Sequence, residues 1–227
     1  RRPTRSQKAM GPVIKRIPDF PAAALEFVYR SFTQSLKSAP PAGFSLPPMP
    51  SIIQSERLDL IPLTPEVLGQ VLAGNGVRAG ELLGLTAPED WQIPRGAMEL
   101  RRRELEANPR LQPWLLKAVS LRAGSLLVGH VGFHTAPGAE YLAEISPDGV
   151  EFGFGVLEPW RHQGIATEAS AALMRWARET HQVQRFVLCI NPENLPSLCV
   201  AAKLGFCKIS SHIDEHEGPE DIFEKWD

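Results

Sequence analysis

The sequence predicts a mixed α/β domain (α+β), strands in hairpins with flanking helices, and three stretches carry that reading. Val150 to Ala177 changes period in mid-course. Val150, Phe152, Phe154 and Val156 alternate as on a strand, whereas Ile165, Ala169, Ala172, Leu173, Trp176 and Ala177 recur on one face of a helix. Trp114 to Ser120 and Ser125 to Thr135 are two strand-like runs joined by Leu121-Arg122-Ala123-Gly124, a hairpin signal. Arg185 to Ile190 is a short apolar run suited to a buried strand, and a capped helix follows it from Asn194.

Composition narrows the function classes. At 227 residues the chain has room for one large domain, or one domain with an appendage. Hydrophobic residues at 43% and charged residues at 22% suit a soluble globular protein. No apolar run approaches the length of a membrane span and no signal-peptide core follows the basic start, so a cytoplasmic protein without a membrane partner is expected. The net charge of −2 argues against a nucleic-acid partner. Cys189, Cys199 and Cys207 are odd in number and lack C-x-x-C spacing, so reduced thiols are expected, with no disulfide and no metal.

Residues 1–50 read as a basic, Pro-rich N-terminal extension to a domain over 51–227. Residues 1–18 hold six Lys or Arg and no acid, which predicts disorder. Asp19 can cap a helix over about 20–36, where Phe20, Ala24, Phe27, Val28 and Leu36 recur at helical spacing. That stripe docks on the domain itself or forms a homodimer contact. Residues 39–50 form a stiff Pro-rich linker. Glu56 to Leu63 alternates as a first strand, and Thr64-Pro65-Glu66 starts a helix to about Leu72. A charged helix from Pro94 to Asn108 turns Met98 and Leu105 inward, with Arg101-Arg102-Arg103 as a solvated face.

His130 and His134 share a strand face; His130 is expected to be structural and His134 to line the substrate cleft, with no third ligand spaced for a metal. Asn194 caps a helix over about 195–204, and Gly205 suits its left-handed C-terminal position. A terminal hairpin turns near Gly218-Pro219.

The central strand places Gly153 and Gly155 on one face, which suggests that something lies flat against it. After Pro159 the turn Arg161-His162-Gln163-Gly164-Ile165-Ala166 leads into the helix. Unsatisfied N–H groups and the positive end of the helix dipole meet there, a geometry that holds phosphate. Neither a Rossmann fingerprint (position 158 is Glu) nor a Walker loop is present. Arg161, Gly164 and Ala166 instead occupy the three places of an Arg/Gln-x-x-Gly-x-Gly/Ala loop. With the later Asn191…Ser197 and Lys203-Leu204-Gly205-Phe206, the chain over roughly 55–210 resembles the GNAT superfamily of N-acetyltransferases, closest to its ribosomal-protein-acetylating subgroup.

The resemblance implies a central, mostly antiparallel sheet splayed at its middle strand and flanked by helices. It implies acetyl-CoA as cosubstrate, with no metal, and an acceptor amine on a small molecule or a peptide N-terminus that attacks directly in a ternary complex. The alternative is a coenzyme A-binding regulatory or scaffold module. Cofactor contacts are expected from Val156, Leu157, Arg161, His162, Gln163, Gly164, Ile165, Ala166, Thr167, Asn191 and Asn194. A strand N–H near Val156 or Leu157 would stabilise the oxyanion.

Glu151 serves either as base or as the group that orients the acceptor ammonium; as a base its carboxyl should be pushed up by burial. His134 joins it on the substrate side. The Tyr that many relatives use as general acid is replaced by Ala201, which leaves Ser197 as the substitute donor or as a plain helix-capping residue. Acids at Glu140, Glu144, Asp148, Glu151, Asp214, Glu215, Glu217, Glu220 and Asp221 predict a cationic acceptor, or a merely solvated hairpin turn.

Overall fold

The structure is a computed structural model that describes residues 52–91, 93–214 and 218–226. The expected extension over 1–50, with its helix over about 20–36, lies outside these residues, as do Glu215 and Glu217 of the terminal hairpin.

Among the described residues eight strands form one sheet in the order β1-β2-β3-β4-β5-β6-β8-β7. They are β1 (Ile53–Gln54), β2 (Leu58–Pro62), β3 (Lys117–Leu121), β4 (Leu126–Phe133), β5 (Val150–Val156), β6 (Arg185–Ile190), β7 (Cys207–Asp214) and β8 (Gly218–Trp226). Every neighbouring pair is antiparallel except β5 and β6, which run parallel. That one parallel pair is where the sheet comes apart. β5 and β6 are joined only at Val150–Phe186 and Glu151–Val187, and the rest of β5 has no β6 partner.

Five α-helices accompany the sheet among the described residues: α1 (Pro65–Leu72), α2 (Gly76–Leu83), α3 (Arg95–Ala107), α4 (Ile165–His181) and α5 (Leu195–Leu204). Their ends follow the sequence signals. The Thr64 hydroxyl accepts the Val67 N–H, with Pro65 at the first turn, and Gly205 ends α5 at φ 80°. Pro94 and Asn108 flank α3 rather than belong to it. The first hairpin strand starts at Lys117 and not at Trp114. The Trp114 and Leu115 N–H groups both still bond back to Leu111 O, in the turn that follows α3.

The helices cover the two faces unequally. α4 lies on the face that gathers Val131, Phe133, Phe152, Leu173 and Phe186 into an aromatic-rich core. On the other face α1 to α3 bury Val67, Leu68, Trp91, Met98 and Leu105 against Ala118 and Leu127. Further along that face, a 3₁₀ turn at Glu140–Leu142 packs Leu142 on Val187 and Ile222. Glu151 lies in the line between these two clusters.

The two glycines of β5 make room for groups of the chain itself. A Cβ at Gly155 would sit 2.4 Å from His130 Cε1, and one at Gly153 would sit 3.2 Å from His134 Nε2. The flat occupants expected from the sequence are therefore the imidazoles of the neighbouring strand. His130 is pulled down to about 4 by burial, and its Nδ1 is buried without a partner among the described residues. It is a neutral ring held by packing. Gly155→Ala should destabilise the fold by about 1–3 kcal/mol through overpacking, and much less in a His130→Ala background. Urea unfolding of the double-mutant cycle checks this. Additivity of the two changes would mean that His130 does not occupy the space above Gly155.

Candidate active site

Two features converge at the C-terminal end of β5. The first is the loop into α4. A 3₁₀ turn at Glu158–Trp160 ends the strand, His162 and Gly164 take φ values of 61° and 78°, and Ile165 anchors the helix in the core. Among the described residues no side chain caps α4, and its first internal bond runs from the Glu168 N–H to Gly164 O. The N–H groups of Ile165, Ala166 and Thr167 thus have no acceptor within the helix. Arg161 folds back, its Nε donating to Val156 O at 3.1 Å, and Gln163 Nε2 donates to Pro159 O at 3.2 Å.

The sequence reading missed the brace beneath this loop. Arg57 donates through Nη2 to Gln163 O at 3.1 Å and through Nε to Glu168 Oε2 at 2.7 Å. Glu168 Oε1 also accepts from Ser55 Oγ and the Arg57 N–H. Burial pushes the Glu168 carboxyl up, but the bonds from Ser55 and Arg57 outweigh it and hold the group below its ordinary value.

The second feature is the bare edge of β5. The His134 N–H donates to Glu151 O at 2.8 Å and the Leu157 N–H to Val128 O at 2.9 Å. With the register of β4 and β5, these bonds turn the polar groups of residues 151, 153 and 155 toward β4. Those of Phe154 and Val156 therefore face the gap left by β6. One expectation is corrected here: the Leu157 N–H is committed to Val128, so of the two candidate oxyanion donors only Val156 remains.

On the cleft face Glu151 is 7% exposed and draws donors from three elements. His134 Nδ1 lies 3.4 Å from Glu151 Oε1, and Tyr141 and Cys189 also act on the carboxylate. Burial pushes this carboxyl up, yet the bonds from His134, Cys189 and Tyr141 and the charge of His134 prevail, so it lies below its ordinary value. This reverses the expectation of a raised base. A carboxylate so well bound stays ionised and is poorly suited to taking a proton. Cys189 and Tyr141 shift the other way, both protons being held more tightly through burial and the Glu151 charge, although Tyr141 as a whole residue is 53% exposed. Arg101 of α3 also acts on Tyr141 electrostatically, so the first arginine of the Arg101-Arg102-Arg103 run is no plain solvated face; its side chain is 12% exposed and paired with Glu104.

Across the gap, α5 presents the remaining expected residues. Asn194 accepts the Ser197 N–H at 3.2 Å, so Asn194 provides the cap and the Ser197 hydroxyl does not. Asn191 Oδ1 accepts the Glu193 N–H at 2.9 Å, which leaves its NH₂ end for a ligand. Ala201 is fully buried in the core, so no side chain reaches the site from that position. Cys199 is exposed on the helix.

The acids divide by strand parity. Asp214 and Glu220 act on Cys189 together with Glu151, and so belong to the cleft face. Asp221 points to the opposite face, bound to Lys208 at 2.6 Å and to Ser211 at 2.8 Å. Glu140, Glu144 and Asp148 are exposed on the loop before β5.

Comparison with known proteins gives a consistent picture. Residues 57–207 match the acetyltransferase (GNAT) domain. No curated protein matches the chain in sequence. The fold is similar to an acetyltransferase from Agrobacterium tumefaciens str. C58, at TM-score 0.52 and 18% identity, over 84% of this chain and 100% of that one. It is similar to the ribosomal-protein-S5-alanine acetyltransferase of Vibrio fischeri, at TM-score 0.52 and 15% identity, over 78% and 96%. It is also similar to RimL, the ribosomal L7/L12 alpha-N-protein acetyltransferase in complex with coenzyme A, at TM-score 0.52 and 19% identity, over 78% and 98%.

Proposed function

Because this chain belongs to the GNAT acetyltransferase family, we propose that it transfers the acetyl group of acetyl-CoA to a primary amine by direct attack in a ternary complex. The observation that carries this reading is the parting of β5 from β6 directly beside the uncapped start of α4. The gap offers the polar groups of Phe154 to the amides of a pantetheine arm, while the Val156 carbonyl holds Arg161. Gly164, Ile165, Ala166 and Thr167 would receive the pyrophosphate on their N–H groups, with Arg161, His162 and Gln163 at its rim and Thr167 adding a hydroxyl. Asn191 and Asn194 close the arm from the α5 side. The Val156 N–H would meet the oxyanion, and Ser197 would pass a proton to the departing sulfur.

Glu151 would hold the acceptor ammonium by its charge, beside His134. The line of Glu151, Glu220 and Asp214 on one face supports a cationic acceptor. RimL and the S5 acetyltransferase are named for protein substrates, which favours a basic peptide N-terminus over a free polyamine. We place the protein in the cytoplasm; among the described residues no helix is long and apolar enough to cross a membrane.

Free-thiol release from acetyl-CoA tests the proposal across neutral amines, diamines and peptides with basic or acidic N-termini. Cationic acceptors should turn over, with kcat/KM falling as salt rises. Tight coenzyme A binding with no turnover on any member would instead support a coenzyme-binding regulatory module.

A further inference from the structure

We propose that the general base of the transfer is His134, acting through Nε2, with Glu151 as the carboxylate that fixes its ring. This rests on the acetyl-transfer reading above and goes beyond it, since there Glu151 only binds the acceptor. The geometry is that of a carboxylate–imidazole pair. His134 Nδ1 faces Glu151 Oε1 at 3.4 Å, and the backbones of the two residues are tied by the His134 N–H bond to Glu151 O. The ring then lies across Gly153, with Nε2 above the missing Cβ. Gly153 is beyond the last residue of β5 that β6 pairs, so Nε2 points along the part of the strand where the sheet is open. The His134 side chain is 41% exposed against 10% for Glu151, so the imidazole and not the carboxylate can exchange protons with solvent.

Glu151 itself is buried and ionised. It is 7% exposed, and His134, Cys189 and Tyr141 hold its carboxyl below the ordinary value against burial, so it stays an anion. What such a group does well is hold a neighbouring imidazole in one tautomer and stabilise its cation. The group that faces His134 Nδ1 is Glu151 on β5, and Tyr141 from the 3₁₀ turn and Cys189 on β6 act on that carboxylate in turn. Arg101 of α3 lies beyond Tyr141. His130, four positions earlier on β4, is buried and neutral, so it does not compete for the proton.

In the step itself, the bound ammonium first releases one proton to solvent; the neutral amine then attacks the thioester carbon with its electron pair while its surplus proton passes to Nε2. The C–S bond then breaks with its pair going to sulfur. That sulfur takes a proton from the Ser197 hydroxyl, which regains one from solvent, and the imidazolium discharges its own to solvent.

Two measurements on the full chain test this. With 1,4-diaminobutane and a Lys-initiated peptide as acceptors, His134→Gln should lower kcat/KM at least about 100-fold. It should erase the acid limb of the pH profile and leave KM for acetyl-CoA unchanged, and imidazole should restore part of the activity of His134→Ala. A His134→Gln enzyme within threefold of wild type, its acid limb intact, overturns the proposal. Independently of turnover, ¹⁵N spectra of the imidazole should show the proton on Nδ1 in the wild type and a loss of that preference in Glu151→Ala. A proton on Nε2 in the wild type leaves no lone pair for the base and overturns the assignment. Failure of the acetyl-transfer reading looks different: the wild type itself releases no thiol.

Discussion

Gly164→Asp is expected to abolish coenzyme A binding while the fold survives. Gly164 is the N-terminal cap of α4 and adopts φ 78°. Asp is among the side chains best tolerated in that region, so the strain should be about 1 kcal/mol. An added Cβ would meet nothing closer than Arg57 Nη2 at 3.6 Å, so the protein itself has room for it. The damage falls on the ligand. A carboxylate beside the N–H groups of Ile165, Ala166 and Thr167 would take the place of pyrophosphate, repel it and draw Arg57 into an ion pair. Charge-assisted bonds of this kind contribute about 1.5–3 kcal/mol, and the repulsion adds to their loss, so affinity should fall by more than about 100-fold. Gly164→Asn carries comparable backbone strain without the charge and should lose less. Calorimetry with coenzyme A, alongside thermal unfolding, separates the two effects. Wild-type affinity in Gly164→Asp would remove this loop from the site.

That loop was legible in the sequence because its determinants are local. A strand end, a glycine and the first helical turn occur within a few residues, and each leaves its own pattern. What supports the loop was not legible, because it comes from far away. Arg57 and Ser55 precede Glu168 by more than a hundred positions, and no periodicity links them. Strand parity exposed the small face of β5, but only the register with β4 reveals that imidazoles fill it.

Glu151 shows the same limit for electrostatics. Burial alone predicts a raised carboxyl, and the sign reverses only once donors arrive from β4, β6 and the 3₁₀ turn. The hairpin acids divide for an equally non-local reason: Glu220 and Asp221 are adjacent in sequence but occupy opposite faces of β8. Composition there could suggest a cationic acceptor, yet could not say which carboxylates face it.

Lys117 should make the protein more stable as pH rises from about 7 to 9. This lysine is 1% exposed, on the face of β3 turned toward α4. Its Nζ donates to Pro113 O at 2.6 Å and to Leu115 O at 3.0 Å, and lies 5.4 Å from the centre of the Trp176 ring. No carboxylate accompanies it in these contacts, and burial lowers its pKa from 10.5 to about 7. Between those values the unfolded chain holds the proton and the folded chain does not, so stability rises with pH; below about 7 both are charged and the full cost of burial applies. The slope approaches about 1.4 kcal/mol per pH unit, or about 2 kcal/mol over the window. Above pH 9 the tightly held protons of Cys189 and Tyr141 act in the opposite direction, which sets the upper limit. Lys117→Met should flatten the curve. It also leaves two carbonyls short of a donor, an offset of about 1–3 kcal/mol that is the same at every pH, so the slope is the informative quantity. Urea unfolding at pH 7, 8 and 9 measures it for both proteins. Parallel curves would mean that Lys117 keeps its charge when folded, solvated by the two carbonyls and the face of Trp176.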